Sequence, residues 1–256
     1  MMLPAILRQR LEHYYEQYYR DTLGLPDWSA RVAARLTEED VDAGRVARMQ
    51  ETLGPFAGRR LLNVGCGTGG FNVAAEQAGA HAWGVDVGEE AVAICQLRRK
   101  RHAEARYAVA MAEALPFRDA AFDIVICLST LEHVANVEAS LHEMVRVLRA
   151  GGALFIYAPS GWACYESHYK LPWVPWFPRV LARLYLRLRR RPTGFVETLN
   201  VLSARRCRRA LEAAGAQVRE LDLEPRDDAT GRLVGAYYRT LGVKPYIALS
   251  ARRVTP

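Results

Sequence analysis

Between Leu61 and Val92 the chain reads LLNVGCGTGGFNVAAEQAGAHAWGVDVGEEAV. An apolar run enters a loop with glycines at 65, 67, 69 and 70, and an acid follows at Asp86. Glycines allow the backbone to turn tightly and a ligand to approach it closely. Amides at the start of the following helix face a negative group. An acid at the end of the next strand can bind two ribose hydroxyls. Together these residues ask for a nucleoside-containing cofactor. Two histidines further on offer a proton acceptor near pH 7. They are His133 in LEHV and His168 in ACYESHYKLPWVPWFPR.

The glycine spacing fits two cofactors. Gly65-x-Gly67-x-x-Gly70 has the spelling of a dinucleotide loop, which implies hydride transfer. Gly65-x-Gly67-x-Gly69 has the spelling of an S-adenosylmethionine loop, which implies methyl transfer. The loop and Asp86 alone do not separate them, so the remaining elements must.

Arg60–Val64 reads as a buried strand, 71–78 as a helix and 81–87 as a second strand. GEEAVAICQLRRKR reads as a helix with acids in its first turn and arginines in its last, as the helix dipole favours. Arg106–Val109 is a short strand and FDIVICL a continuous apolar one. VEASLHEMVRVLRAGG reads as a helix ended by glycine, ALFIYAP as a buried strand, SARRCRRALEAAGA as a helix, and QVRELDL and KPYIALSARR as strands. Strands that are apolar on both faces and alternate with helices predict an α/β, Rossmann-like, doubly wound sheet. The sheet is expected to be mostly parallel with an antiparallel last strand. Ligands of such sheets sit at the carboxyl ends of the strands, near the switch in strand order. Two segments lie outside the rhythm. The expected organisation is one domain, with a helical lid (1–55), a cofactor-binding core (56–159), an inserted cap (160–200) and the C-terminal part of the sheet (201–256).

The later blocks separate the two cofactors. MAEALPFRDAAFDIVICLSTLEHVANVEASLHEMVRVLRAGGALFIYAP resembles class I S-adenosylmethionine-dependent methyltransferases of the group with a GCGTG loop and LEH after the fourth strand. The resemblance runs from Leu61 to Pro159 in order and spacing, and a dehydrogenase reading leaves these later blocks unexplained. It implies that Gly65, Cys66, Gly67 and Gly69 lie against the amino-acid part of the cofactor. It implies further that Asp86 takes the ribose, Val87 flanks the adenine, and Ala112 and Glu113 line its edge. Leu128 and Ser129 would lie beneath the sulfonium end. Two positions depart from the family pattern. Asn63 stands where members usually carry Asp or Glu, keeping the hydrogen bonds without the charge. Met111 stands where they usually carry an acid, so a bond to the adenine amino group is lost or supplied by a neighbour. These departures motivate an alternative, a cofactor-binding protein without transferase activity.

A sulfonium methyl is already activated, so the protein must align donor and acceptor, exclude water and, for some acceptors, remove a proton. His133 is the best-placed base and His168 the second. The alternative for His133 is that it only shapes the pocket. Glu132 reads as structural, orienting the lid, and His142 as a surface residue. Tyr165, Tyr169 and Trp173 in the cap, with Tyr14 and Tyr18 on the first helix, are candidates for an apolar or aromatic acceptor site. Packing among themselves is the competing reading. No metal site is expected. The scattered cysteines form no C-x-x-C pair, which points to reduced thiols in a cytosolic protein.

The net charge of +7 is unevenly placed. Ten arginines and one acid between Arg179 and Arg209 give that segment +9, leaving −2 for the rest. Within it Leu181, Leu184, Tyr185 and Leu188 fall at helical spacing. The readings are a helix lying on a membrane surface, a dock for an acidic carrier protein or a phosphorylated acceptor, and a solvated amphipathic helix. Nucleic acid is disfavoured because no RNA-binding module accompanies the charge. The expected function is methyl transfer to oxygen or nitrogen of a small-molecule acceptor, such as a natural product or sugar. The alternative is a membrane-associated enzyme acting on a lipid or quinone. The acceptor and the oligomeric state are not legible in the sequence.

Overall fold

The computed structural model describes residues 4–99, 106–222, 238 and 240–254. Among these, seven strands form one sheet: β1 (Arg60–Val64), β2 (His81–Asp86), β3 (Arg106–Val109), β4 (Phe122–Leu128), β5 (Leu148–Pro159), β8 (Ala216–Glu220) and β9 (Tyr246–Arg253). Their order is β3-β2-β1-β4-β5-β9-β8. The pairs from β3 to β5 are parallel, and β9 runs antiparallel to both β5 and β8. The strand direction expected at the end of the chain is therefore observed. The order of connection reverses between β1 and β4, so the loops after these two strands form the crevice that parallel sheets use for ligands.

Helices cover both faces. α6 (Val137–Val147) and α9 (Ala204–Ala213) bury Leu141, Met144, Cys207 and Leu211 against one face. α3 (Glu38–Leu53) and α4 (Gly70–Gln77) bury Val46, Leu53, Phe71 and Ala75 against the other. α5 (Glu89–Arg99) starts with Glu89 and Glu90 as expected, and positions 100–101 of the expected helix lie outside the described residues. One boundary differs from expectation. α6 ends at Val147, and LRAGG belongs to the entry of β5 instead of the helix. Leu148 is already extended and pairs with Phe122, after which a register shift carries Gly151 at φ +70°. The glycines bend a strand here and do not cap a helix.

The lid and the cap are one body. The lid comprises α1 (Ala5–Glu16), a π-helical continuation over Gln17–Thr22, α2 (Trp28–Arg35) and α3. The cap comprises a short hairpin of β6 (Tyr165–Glu166) and β7 (Leu171–Pro172), then α7 (Arg179–Leu188) and α8 (Gly194–Glu197). Leu7, Leu11, Tyr15 and Tyr19 of the lid share a core with Tyr169, Leu171, Ala182, Leu186 and Val196 of the cap. The two segments are more than a hundred residues apart in sequence, so no local pattern announces this core. In α7 the leucines at helical spacing point outward. Ala182 and Leu186 are buried, while Leu181, Leu184 and Leu188 are 50%, 54% and 74% exposed.

Candidate functional site

The loop after β1 opens the crevice. Gly65 has φ +75°, and a Cβ there would stand 2.0 Å from the Thr130 hydroxyl, so the position admits only glycine. Gly67 has φ +52° and nothing within 4 Å of where its Cβ would be. It faces open space that a ligand can occupy. The loop is braced from several sides. The Gly67 and Gly88 amides donate to the two carboxylate oxygens of Asp86 at 2.9 Å each. The Thr68 hydroxyl bonds Tyr15 of the lid at 2.8 Å, and the buried Arg98 donates to the Thr68 carbonyl at 2.7 Å.

Asn63 and Asn72 lie beneath the loop, almost wholly buried. The Asn63 side-chain amide donates to Asn72 Oδ1 at 2.8 Å, which leaves Asn63 Oδ1 without a protein partner. Asn63 lines the cleft, so this oxygen is a buried acceptor available to a ligand donor. Val87 and Met111 are exposed on the rim, and Ala112 is buried beside them. Glu113 also lines the cleft, yet its carboxylate accepts from the Ala135 and Asn136 amides at 2.7 and 3.0 Å. It therefore steadies the start of α6, which the motif did not reveal.

From this loop a single cleft of about 1920 Å³ extends to the cap. Leu128 and Ser129, at the end of β4, form part of its floor. Tyr14, Tyr18 and Tyr165 line it, as do His133 and His168. Two acceptor-site candidates do not. Tyr169 is fully buried and serves the lid–cap core. Trp173 packs beside Phe177 and Tyr185 and lines a separate cavity of about 90 Å³. Short-range sequence cannot say which side of the irregular cap each aromatic faces.

The two imidazoles meet. Their ring centres are 5.3 Å apart, and Phe195 from α8 stands 5.4 Å from His133 and 5.1 Å from His168. Phe195 carried no sequence signal, because it lies in a short segment without periodicity. Protein walls desolvate His133 although it opens on the cleft, and with the charge of His168 nearby they push its pKa down to about 4. It is neutral at every ordinary pH. His168 is held by Glu166, whose Oε1 is 2.7 Å from Nδ1, while Glu166 Oε2 accepts from the Tyr169 amide. Glu132 is 1% exposed, and neither of its carboxylate oxygens has a hydrogen-bond partner. Burial pushes its pKa up to about 7. Its Oε1 is 4.0 Å from His168 Nε2, so Glu132 faces the cap and not the lid as the sequence reading had it. His142 is exposed, as expected.

A seven-stranded sheet with one reversed strand next to its edge, and a glycine loop and acid at the switch point, make this a Rossmann-like fold. Residues 62–156 match the family described as "Methyltransferase domain". The chain is 36% identical over 121 residues to the ubiquinone biosynthesis O-methyltransferase of Pseudomonas fluorescens, covering 45% of this chain and 50% of that protein. It thus spans about half the length of the curated relatives it matches. Among solved structures, a geranyl diphosphate methyltransferase in complex with S-adenosylmethionine superimposes with a TM-score of 0.58 at 19% identity, covering 92% of this chain and 95% of that one. The YcgJ protein from Bacillus gives 0.58 at 18% identity, covering 85% and 100%. At such identities the structures speak for the fold alone.

Proposed function

We propose that the protein transfers the methyl group of S-adenosylmethionine to an oxygen or nitrogen of a small apolar or aromatic acceptor. The observation that carries this reading is the continuity of the cleft. It is large enough for two ligands end to end, since a single ligand usually takes about 300–1,000 Å³. The residues fit the cofactor. Asn63 Oδ1 offers a buried acceptor for an ammonium, Asp86 retains lone pairs toward a ribose, and Gly67 leaves room where a side chain would intrude. Bound there, the cofactor supplies an electrophilic methyl group on a sulfonium. The chain then has to exclude water with the lid and cap, orient the acceptor between Tyr14, Tyr18 and Tyr165, and receive its proton at the His133–His168 wall. The matched relatives are named for O-methylation in ubiquinone biosynthesis, which supports oxygen as the acceptor atom.

Calorimetry with S-adenosylhomocysteine tests the cofactor half. Asp86→Ala should weaken binding at least tenfold, since it removes two charge-assisted contacts worth about 1.5–3 kcal/mol each. Binding of NAD instead, or an unchanged Asp86→Ala, refutes the reading. Screening phenols, amines and sugar nucleotides for release of S-adenosylhomocysteine then addresses the acceptor. Binding without turnover across such a screen would favour a cofactor-binding protein. Because His133 stays neutral down to about pH 4, a fall in rate between pH 6 and 7 is not expected from it.

The exposed face of α7 favours a second reading, a membrane-surface enzyme whose acceptor is a lipid or quinone. Val180, Leu181, Leu184 and Leu188 are exposed together, with Arg187, Arg189 and Arg190 exposed around them. Leucines open to water beside arginines suit the boundary between lipid headgroups and acyl chains. No described helix is long and apolar enough to cross a membrane. Salt-sensitive sedimentation with anionic vesicles, abolished when Arg187, Arg189, Arg190 and Arg191 become Gln, would establish this reading. Absence of sedimentation would remove it.

A further inference from the structure

We propose that Glu132, His133 and His168 form a binding site for a first-row divalent cation of the zinc type. One ligand atom from each residue lies within 4.8 Å of the other two. The chain shows no metal signature here, because Glu132 and His133 are adjacent and His168 comes from the cap, 35 positions later (168 minus 133). Only the packing of the cap over the loop after β4 assembles the set.

Three further observations single out this cluster. The first is Glu132. A wholly buried carboxylate with two unpartnered oxygens is rare, since an unmatched buried acceptor is costly. A cation between it and the imidazoles would satisfy it. The second is Glu166. Its contact with His168 Nδ1 directs the Nε2 lone pair at Glu132, the carboxylate–histidine arrangement that orients metal-ligating imidazoles. The third is the opening. His133 and His168 both line the cleft, so an ion held by three protein ligands keeps its remaining position toward the acceptor.

Two imidazoles and one carboxylate suit zinc or a neighbour such as cobalt, and suit magnesium poorly. Bond lengths of about 2.0–2.2 Å place tetrahedral ligand atoms roughly 3–3.5 Å apart. The observed separations, up to 4.8 Å, close by side-chain movements of about 1 Å. The binding of the ion does not depend on the methyl-transfer reading; only its role does. An acceptor hydroxyl coordinated at the open position would lose its proton to water, forming a metal–oxygen bond. The resulting oxyanion faces the cofactor side of the cleft. The histidines then act as ligands and no longer as proton acceptors.

Metal-free protein titrated with Zn²⁺ in a calorimeter, and separately with Co²⁺ by visible absorption, tests the site. The expected result is one ion per chain and a Co²⁺ spectrum of nitrogen and oxygen ligands. Glu132→Gln and His168→Ala should each weaken binding at least tenfold, and Glu166→Gln by about 10–100-fold. S-adenosylhomocysteine affinity should stay within threefold in all of them, which shows that the fold survives and keeps this test separate from that of the cofactor. Failure of wild-type protein to bind either ion overturns the proposal. So does binding that Glu132→Gln and His168→Ala leave unchanged. A thiolate charge-transfer band in the wild-type Co²⁺ spectrum would place the ion on cysteines and overturn it without reference to any variant.

Discussion

The two ends of the cleft are built on different principles. At the glycine loop nearly every polar group is bound to backbone close by. Asp86 holds the Gly67 and Gly88 amides, and Glu113 holds those of Ala135 and Asn136. Asn63 Oδ1 and Asn72 Nδ2, buried beneath the loop, are left without a partner, and Asn63 lines the cleft where a ligand could complete the set. At the cap end the polar groups meet through tertiary packing. The Glu132 carboxylate has no hydrogen-bond partner, and the two imidazoles meet edge to face beside Phe195. A loop whose amides and carbonyl are held by Asp86 and Arg98 has a fixed backbone, and suits a ligand that never changes. Side chains gathered from lid, cap and β4 loop can be altered one at a time, and suit an acceptor that differs between proteins. The contrast appears again in two carboxylates. Glu143, on α6, is held below its usual pKa by Arg146, whereas burial raises that of Glu132.

The largest effect is expected from Gly65→Ala. Left-handed backbone and a collision with Thr130 should abolish calorimetric binding of S-adenosylhomocysteine and lower the melting temperature. Retained binding would break the claim that the loop is rigid. Next comes the lid–cap core. Leu186→Ala should cost about 2–5 kcal/mol in denaturant unfolding, while Leu184→Ala on the exposed face of the same helix should stay within about 0.5 kcal/mol. Equal losses would show that the outward leucines are covered.

Glu132→Gln should have an unusual sign. The carboxyl titrates near 4.5 when unfolded and at about 7 when folded, so the folded protein holds a proton that the unfolded chain releases. Stability should therefore fall as pH rises from about 4.5 to 7. In chelator at pH 8 the Gln variant should be more stable than wild type, by an amount on the order of 2–3 kcal/mol. At pH 4.5 the two should coincide, and a difference of equal size there would refute the assignment. The smallest effect belongs to Glu143→Gln. Arg146 depresses the Glu143 pKa, so its stabilisation exists above about pH 4.5 and disappears as pH falls further. Removing it should cost about 1 kcal/mol at pH 7, and the cost should shrink as pH falls below about 4.5.

The glycine-loop end of the cleft was legible because its signals are local. Glycine is needed where the backbone turns left-handed at 65, 67 and 69, and Asp86 reaches that loop from the neighbouring strand. Parallel strands were legible because burial on both faces leaves unbroken apolar runs such as FDIVICL. The cap end was only partly legible. His133 and His168 were recognisable as chemistry-bearing residues, but nothing in their positions placed the rings 5.3 Å apart. Tyr169 and Trp173 read like pocket walls and are packing, while Phe195 read like nothing and stands against both imidazoles. In α7 helical spacing identified a leucine face, but which face packs depends on the body beneath it, and Ala182 and Leu186 won that place. Periodicity reports that a residue has neighbours of its own kind one turn away. It carries no information about a partner surface drawn from another part of the chain. The sequence by itself thus determined the sheet, the glycine loop and the class of cofactor. The tertiary structure decided which side chains line the cap end of the cleft and how Glu132, His133 and His168 come together, because their proximity arises from the cap packing over the loop after β4.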